Sequence, residues 1–249
     1  MSLVQAKLEG SSPCSIDYKP QGGWVFDAAV TRVFDDMLSR SIPQLDEMRR
    51  LCASIAQRYA QSGTEIVDLG CSRGGAMKTY LAFCRGKCRC RGFESSEAML
   101  REARQELATD IRIGNATVDL FDLREHYPDV NASVTSAVLT LQFVPIEYRH
   151  RVLRRAFDTT VAGGCLIVVE KIVGGSSDSQ SLMVDAYHEM KRSNGYSQES
   201  IDLKRKSLEG KLVPVTAAWN EDLILSAGWR RPERFWQWMN FAGWFALKE

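Results

Sequence analysis

The chain has 249 residues, 45% of them hydrophobic, with 32 Lys and Arg against 31 Asp and Glu. That supplies one sizeable core and suits a single α/β domain. A net charge of +1 gives no global case for nucleic acid or a membrane surface, and no apolar run reaches bilayer length.

The first residues, Met1 to Lys7, lack a charged-then-apolar signal layout, so a cytoplasmic location is expected. Residues 1–23 are Gly-, Ser- and Pro-bearing and read as a flexible arm; residues 24–249 read as one domain. A helical region is expected from Trp24, because Phe26, Ala29, Val33 and Met37 recur at three-to-four spacing. Ser41-Ile42-Pro43 interrupts it. A second helix is expected near Leu45 to Tyr59, with Met48, Leu51, Cys52, Ile55 and Ala56 on one face.

Thr64 to Gly75 then reads as a buried strand over residues 65–69 that runs into a Gly-rich turn. A helix over about 74–84 and a second strand over about 89–94 follow, the strand ending in Glu94. This is the layout of a nucleoside-binding βαβ unit, where glycines let the backbone approach the ligand and the acid takes ribose hydroxyls. The spacing Asp68-x-Gly70-x-Ser72-x-Gly74 differs from G-x-G-x-x-G. It resembles the S-adenosylmethionine (SAM) class of Rossmann-like methyltransferases. Cys71 reads as a small residue fitting the turn. Seven cysteines, an odd count, argue against a secreted disulfide framework. Cys84, Cys88 and Cys90 lack the C-x2-C knuckle spacing, and only three histidines exist, so no metal is expected. The basic run from Arg85 to Arg91 reads as a solvated loop away from the strand C-termini.

Ser95 or Ser96 caps the next helix, which runs through Leu107. Ile111 to Asn115 reads as strand 3, Ser133 to Leu139 as strand 4, Tyr148 to Thr159 as a helix, and Gly163 to Glu170 as a turn and strand 5. A polar helical insertion is expected over about 176–212. A helix over Asp222–Gly228 and two aromatic strands, Phe235–Trp238 and Gly243–Leu247, close the chain. The alternation implies a mainly parallel sheet with helices on both faces, and with its closing helix and aromatic hairpin it resembles the Rossmann-like, seven-stranded class I methyltransferase fold. Trp236 and Trp238 share a strand face, and core or subunit packing is preferred there to base stacking.

Larger blocks carry a more specific resemblance. These are Trp24-x-Phe26-Asp27, Val33-Phe34-x-Asp36-Met37, Arg40-Ser41-Ile42-Pro43, Thr140-Leu141-Gln142-Phe143, Glu170-Lys171, Lys191-Arg192-x-Asn194-Gly195-Tyr196-Ser197 and Lys204-Arg205-x-x-Leu208-Glu209. With the Gly-rich turn they resemble the carboxy-SAM synthases, over roughly residues 24–248. That family makes carboxy-SAM from SAM and prephenate, for a partner enzyme that modifies the wobble uridine of tRNA.

The resemblance implies that Asp68, Gly70, Cys71, Ser72 and Gly74 form the methionine and ribose side of a SAM or carboxy-SAM site, with Glu94 and Ser95 at the ribose. Asp119-Leu120 matches the pair near the adenine, and Asp122-Leu123 is the competing alignment. Arg205 matches the arginine that grips the added carboxylate, a task suited to a planar guanidinium. Tyr196, in the same block, is the candidate acid or base. Lys191, Arg192 and Lys204 are candidates to assist a substrate with two carboxylates. Leu45 stands where the family has a ligand-binding Tyr, and Val138 where it has an Asn. The family mechanism captures carbon dioxide at a sulfonium ylide, which calls for a water-poor pocket. A homodimer is also implied, and direct nucleic-acid binding is not. Two alternatives stay open: a SAM-dependent methyltransferase acting on a small molecule, and a non-catalytic SAM-binding partner.

Overall fold

The computed structural model describes residues 14–16, 18–84 and 86–249. Two helices precede the sheet, α1 (Ala28–Ser41) and α2 (Leu45–Tyr59). α1 starts later than the expected Trp24, because Asp27 caps it; its carboxylate accepts the Val30 N–H at 2.9 Å. Met48, Cys52 and Ala56, one turn apart on α2, are buried against the sheet.

The nucleoside-binding unit follows as β1 (Glu65–Leu69), α3 (Gly75–Cys84) and β2 (Arg89–Glu94). α4 (Glu97–Glu106) is capped by Ser96, whose Oγ accepts the Met99 N–H at 3.2 Å. The strand expected at Ile111–Asn115 is a correction. Ile111 continues a short helix, α5 (Ala108–Arg112), donating its N–H to Leu107 O at 2.9 Å. Ile113 is 60% exposed, so the apolar alternation there has no buried face to serve. The strand is β3, Ala116–Leu120.

Next come β4 (Ala132–Val138), a 3-10 turn (Leu141–Phe143), α6 (Ile146–Thr159) and β5 (Thr160–Val173). The insertion forms α7 (Ser177–Ser193) and α8 (Gln198–Leu208). β6 (Val215–Thr216), α9 (Ala217–Ser226), β7 (Arg230–Trp238) and β8 (Phe241–Leu247) complete the chain order. α9 begins before the expected Asp222, because the Thr216 Oγ1 takes the Trp219 N–H at 3.2 Å.

Seven strands run in the order β3-β2-β1-β4-β5-β8-β7, and the two-residue β6 pairs with β5. β1 through β5 pair in parallel, whereas β8 is antiparallel to both β5 and β7. Alternate residues feed two cores. Ile66, Ile167 and Val169 pack with α2, α3 and α4; Val67, Leu166 and Val168 pack with α6 and α9. A third cluster, Trp24, Val30, Phe34, Met37 and Met99, joins α1 to α4.

Of the arm expected over residues 1–23, residues 1–13 and Asp17 lie outside the described residues. Ser15 is buried; its N–H donates to Asp36 Oδ2 at 2.7 Å, and its Oγ bonds the Tyr196 hydroxyl at 2.7 Å. Trp24 N–H donates to Ser207 O at 2.8 Å, tying this segment to α8.

Candidate active site

A cavity of about 1000 Å³ opens where the parallel strands end, between α1, α2 and the α7–α8 insertion. Ligands of open α/β sheets bind at this edge. β1 leads into it through Gly70, whose φ of +72° favours glycine. A Cβ there would sit 2.6 Å from Thr140 Cγ2. The Gly70 and Cys71 N–H groups both donate to Phe93 O, at 2.8 and 3.0 Å, fastening the turn to β2.

Ser72 adopts a left-handed φ of +50° without being glycine. Its N–H donates to Glu94 Oε2 at 2.9 Å, while Glu94 Oε1 accepts the Ser96 N–H at 2.8 Å. An ionised carboxylate has about four acceptor sites, so two amides leave capacity for two hydroxyl donors. The residues present therefore fit a ribose. Burial raises the Glu94 carboxyl above its ordinary value, against the pull of these amides. Asp68, at the end of β1, accepts the Ser136 hydroxyl at 2.7 Å, and burial pushes its carboxyl up to about 7. Cys71 is buried against Gly92, where a Cβ would come within 2.8 Å of its Sγ. Burial pushes that thiol well up, which suits packing and not nucleophilic attack.

A second acid organises the next loop. Glu170, on β5, takes three backbone N–H groups: Thr140 at 3.2 Å and Leu141 at 2.8 Å on Oε1, Gln142 at 2.7 Å on Oε2. Burial pushes its carboxyl up to about 8, opposed by Arg149 and those amides. Gln142 Oε1 in turn accepts the Lys171 N–H at 2.9 Å.

Asp68, Gly70, Cys71, Ser72, Glu94, Ser95, Leu45 and Val138 all line the cavity, and Arg205 lies at its α8 rim. Gly74 does not line it; that glycine faces Leu107. Asp119 and Leu120 also lie off the wall. The Asp119 carboxylate accepts Arg91 Nε at 3.3 Å, and Leu120 is half exposed. The competing pair Asp122-Leu123 lines the cavity. Tyr196 is buried beneath the site, its hydroxyl against Ser15. The Arg205 side chain is 61% exposed and 3.5 Å from Glu209. Arg192 is turned outward, paired with Glu189 at 2.7 Å.

Three cavity residues were not singled out as pocket residues from the sequence. Arg49 lines the wall beside the Gly-rich turn; a Cβ on Gly75 would lie 2.6 Å from its Nη2. Its place next to Met48, at the margin of the apolar stripe of α2, was the available signal. Lys171 and Tyr187 are the others. Lys171 Nζ sits 4.5 Å from the Tyr187 ring centre, and Lys191 Nζ sits 5.5 Å from the same ring. Lys191 Nζ is also 5.1 Å from Tyr196, and Lys204 Nζ lies 5.9 Å from Tyr196 and 5.5 Å from Trp24. Burial lowers Lys171 and Lys191 to about 8 and takes Lys204 well below its ordinary value.

Among the described residues, no three His, Cys, Asp or Glu side chains are grouped to hold a metal. Among them too, no helix is long and apolar enough to cross a membrane.

Residues 66–164 match the family model described as a methyltransferase domain. The fold is similar to that of an O-methyltransferase family protein from Burkholderia thailandensis, with a TM-score of 0.65 at 15% identity. It is also similar to human N-acetylserotonin methyltransferase in complex with SAM, with a TM-score of 0.58 at 15% identity. The matches cover 90% and 89% of this chain but only 61% and 55% of those longer chains. The architecture is thus that of the class I SAM-dependent methyltransferases.

Relatives at higher identity narrow the class. The carboxy-S-adenosyl-L-methionine synthase of Methylococcus capsulatus is 36% identical, over 90% of this chain and 93% of its own length. That of Marinobacter nauticus is 37% identical, over 90% of this chain and 89% of its own. The chain belongs to the carboxy-S-adenosyl-L-methionine synthase family.

Proposed function

We propose that this chain converts SAM and prephenate to carboxy-SAM. One observation carries the reading: a nucleoside-type wall and a basic wall, with no acid paired to it among the described residues, share one cavity. Gly70 to Ser72 and Glu94 form the first; Lys171, Lys191 and Lys204 stand on the second. A cavity of about 1000 Å³ has room for a nucleoside and a second small molecule together.

In this reading Glu94 receives the ribose hydroxyls, and Ser72 and Cys71 run along the methionine portion. Arg49 takes the amino-acid carboxylate, and Asp122-Leu123 borders the adenine. SAM supplies the sulfonium-activated carbon that receives the new carboxylate. Arg205, hinged at the rim, reaches in to that carboxylate once its partner Glu209 is released. Tyr196 acts by holding Lys191 and Lys204, and not as an acid or base. The enzyme works in the cytoplasm as a homodimer with no direct contact to nucleic acid, and its product serves tRNA wobble-uridine modification. Light scattering that gives a monomer would remove the dimer.

The test is incubation of purified protein with SAM and prephenate, followed by mass spectrometry. The expected product is a SAM species heavier by one carboxylate. Its absence, with SAM intact, overturns the reading. Leu45 and Val138 make two cavity positions apolar, which favours the second reading, a methyltransferase acting on a small molecule. S-adenosylhomocysteine formed with an added acceptor would support that instead.

A further inference from the structure

Three ammonium groups come together in the cavity wall from three elements: Lys171 from β5, Lys191 from α7 and Lys204 from α8. They alternate with aromatic rings as Lys171, Tyr187, Lys191, Tyr196, Lys204, Trp24. Lys191 is buried and Lys204 half-buried, and among the described residues no acid pairs with any of the three. Among the described residues Lys204 has one weak side-chain partner, Ser41 Oγ at 3.4 Å. Trp24 adds a buried indole N–H with no hydrogen-bond partner among the described residues.

This arrangement is costly in the free protein. A buried cation without an opposite charge keeps only a part of its hydration energy, and ring faces return a fraction of the loss. Like charges sharing one wall add repulsion. Such clusters persist where an anion completes them. The spacing also sets the anion's valence. Lys171 and Lys191 flank Tyr187, and Lys191 and Lys204 flank Tyr196. The three therefore form two overlapping pairs of ammonium groups, each pair sharing one tyrosine ring.

We infer that Lys171, Lys191 and Lys204, with the Trp24 indole N–H, form a subsite for a small dicarboxylate, each pair of ammonium groups taking one carboxylate. The inference rests on the proposed carboxy-SAM synthesis and names where its second substrate sits. It also separates Lys191 and Lys204 from their neighbour Arg192, which pairs outward with Glu189. The subsite discriminates by charge. Prephenate carries two carboxylates, and loss of one as carbon dioxide together with hydroxide leaves phenylpyruvate, a monoanion. Three cations hold a monoanion less tightly, so the product leaves.

The experiment uses isothermal titration of the full chain saturated with S-adenosylhomocysteine, which supports binding without turnover. Prephenate and phenylpyruvate are the probes. Wild type is expected to bind prephenate at least about tenfold more tightly than phenylpyruvate. Lys191→Met and Lys204→Met should each cost about tenfold in prephenate affinity and narrow the gap between probes. S-adenosylhomocysteine affinity should stay within about twofold, and Arg192→Met should match wild type. Lys191→Arg, which keeps the charge, should recover a large part of the lost affinity. Equal wild-type affinities for the two probes overturn the subsite, and this arm needs no variant to fold. Lysine variants that bind prephenate as wild type does also overturn it. If wild type makes no carboxy-SAM yet shows the charge preference and loses it in the variants, the reaction fails and the subsite stands.

Discussion

The Glu94 carboxylate accepts the Ser72 N–H at 2.9 Å, so the acid ending β2 holds the left-handed residue of the turn ending β1. Ligand contact and turn shape therefore depend on one side chain. Glu94→Ala is expected to weaken SAM binding by about tenfold to a hundredfold, as loss of charge-assisted hydrogen bonds implies. Titration calorimetry with SAM reads this directly. Affinity within about twofold of wild type would remove Glu94 from the ribose.

Gly70→Ala tests the close approach behind the turn. The new methyl meets Thr140, and the φ of +72° strains any side chain. A loss of about 2–3 kcal/mol in urea unfolding is expected, with an unchanged denaturant slope. Thr140→Ser relieves the Cγ2 contact, so the double variant should regain part of that loss.

Arg205→Ala separates the two SAM species. Its guanidinium lies in solvent beside Glu209, so a loss should fall only on a ligand with a carboxylate near the rim. Carboxy-SAM affinity should drop by about tenfold while SAM affinity stays within about twofold. Equal losses for both, or none, would end the carboxylate role of this residue.

Lys191 gives a pH prediction. Its folded value, about 8, lies below the ordinary 10.5, with burial the largest cause and Lys171 the next. The charged and titratable groups around it are Lys171, His188, Lys204, Tyr187 and Tyr196. Between the two values the unfolded chain holds the proton and the folded chain does not, so this group adds stability as pH rises. Below pH 8 its penalty is complete, worth about 3 kcal/mol at most. Lys191→Met should therefore stabilise the ligand-free protein at pH 7 relative to wild type, and the advantage should shrink by pH 9.5. Melting curves at both pH values test it; an advantage that grows with pH contradicts the sign.

What the sequence revealed was local, and what it hid was assembled from distant segments. The βαβ unit was legible because Asp68, Gly70, Ser72 and Glu94 lie within one strand-turn-helix-strand stretch. Strand 3 was misread because Ile111 and Ile113 alternate like a strand, whereas Leu107 O captures Ile111 into a helical turn. The true strand, Ala116–Leu120, carries the same apolar-polar alternation, and its place is set by burial of Ala116 and Val118 and pairing with β2. The lysine row was not legible as a row, because β5, α7 and α8 each contribute one member. Arg192 illustrates the point in reverse. It adjoins Lys191 in sequence, but one residue of helical rotation sends it to solvent.

The antiparallel strand β8 lies between β5 and β7, with seven register pairs to β5 from Cys165–Leu247 to Lys171–Phe241. A ribosome makes β5 long before β8. Until β8 emerges, the nascent chain presents an unpaired, apolar strand edge at Leu166 to Val169, and neither Asn240 nor Phe241 is there to wall the cavity. Competence thus arrives late in translation and all at once. In the interval the half-made sheet is a substrate for chaperones, and a premature stop before Phe241 should yield aggregate in place of a weakened enzyme.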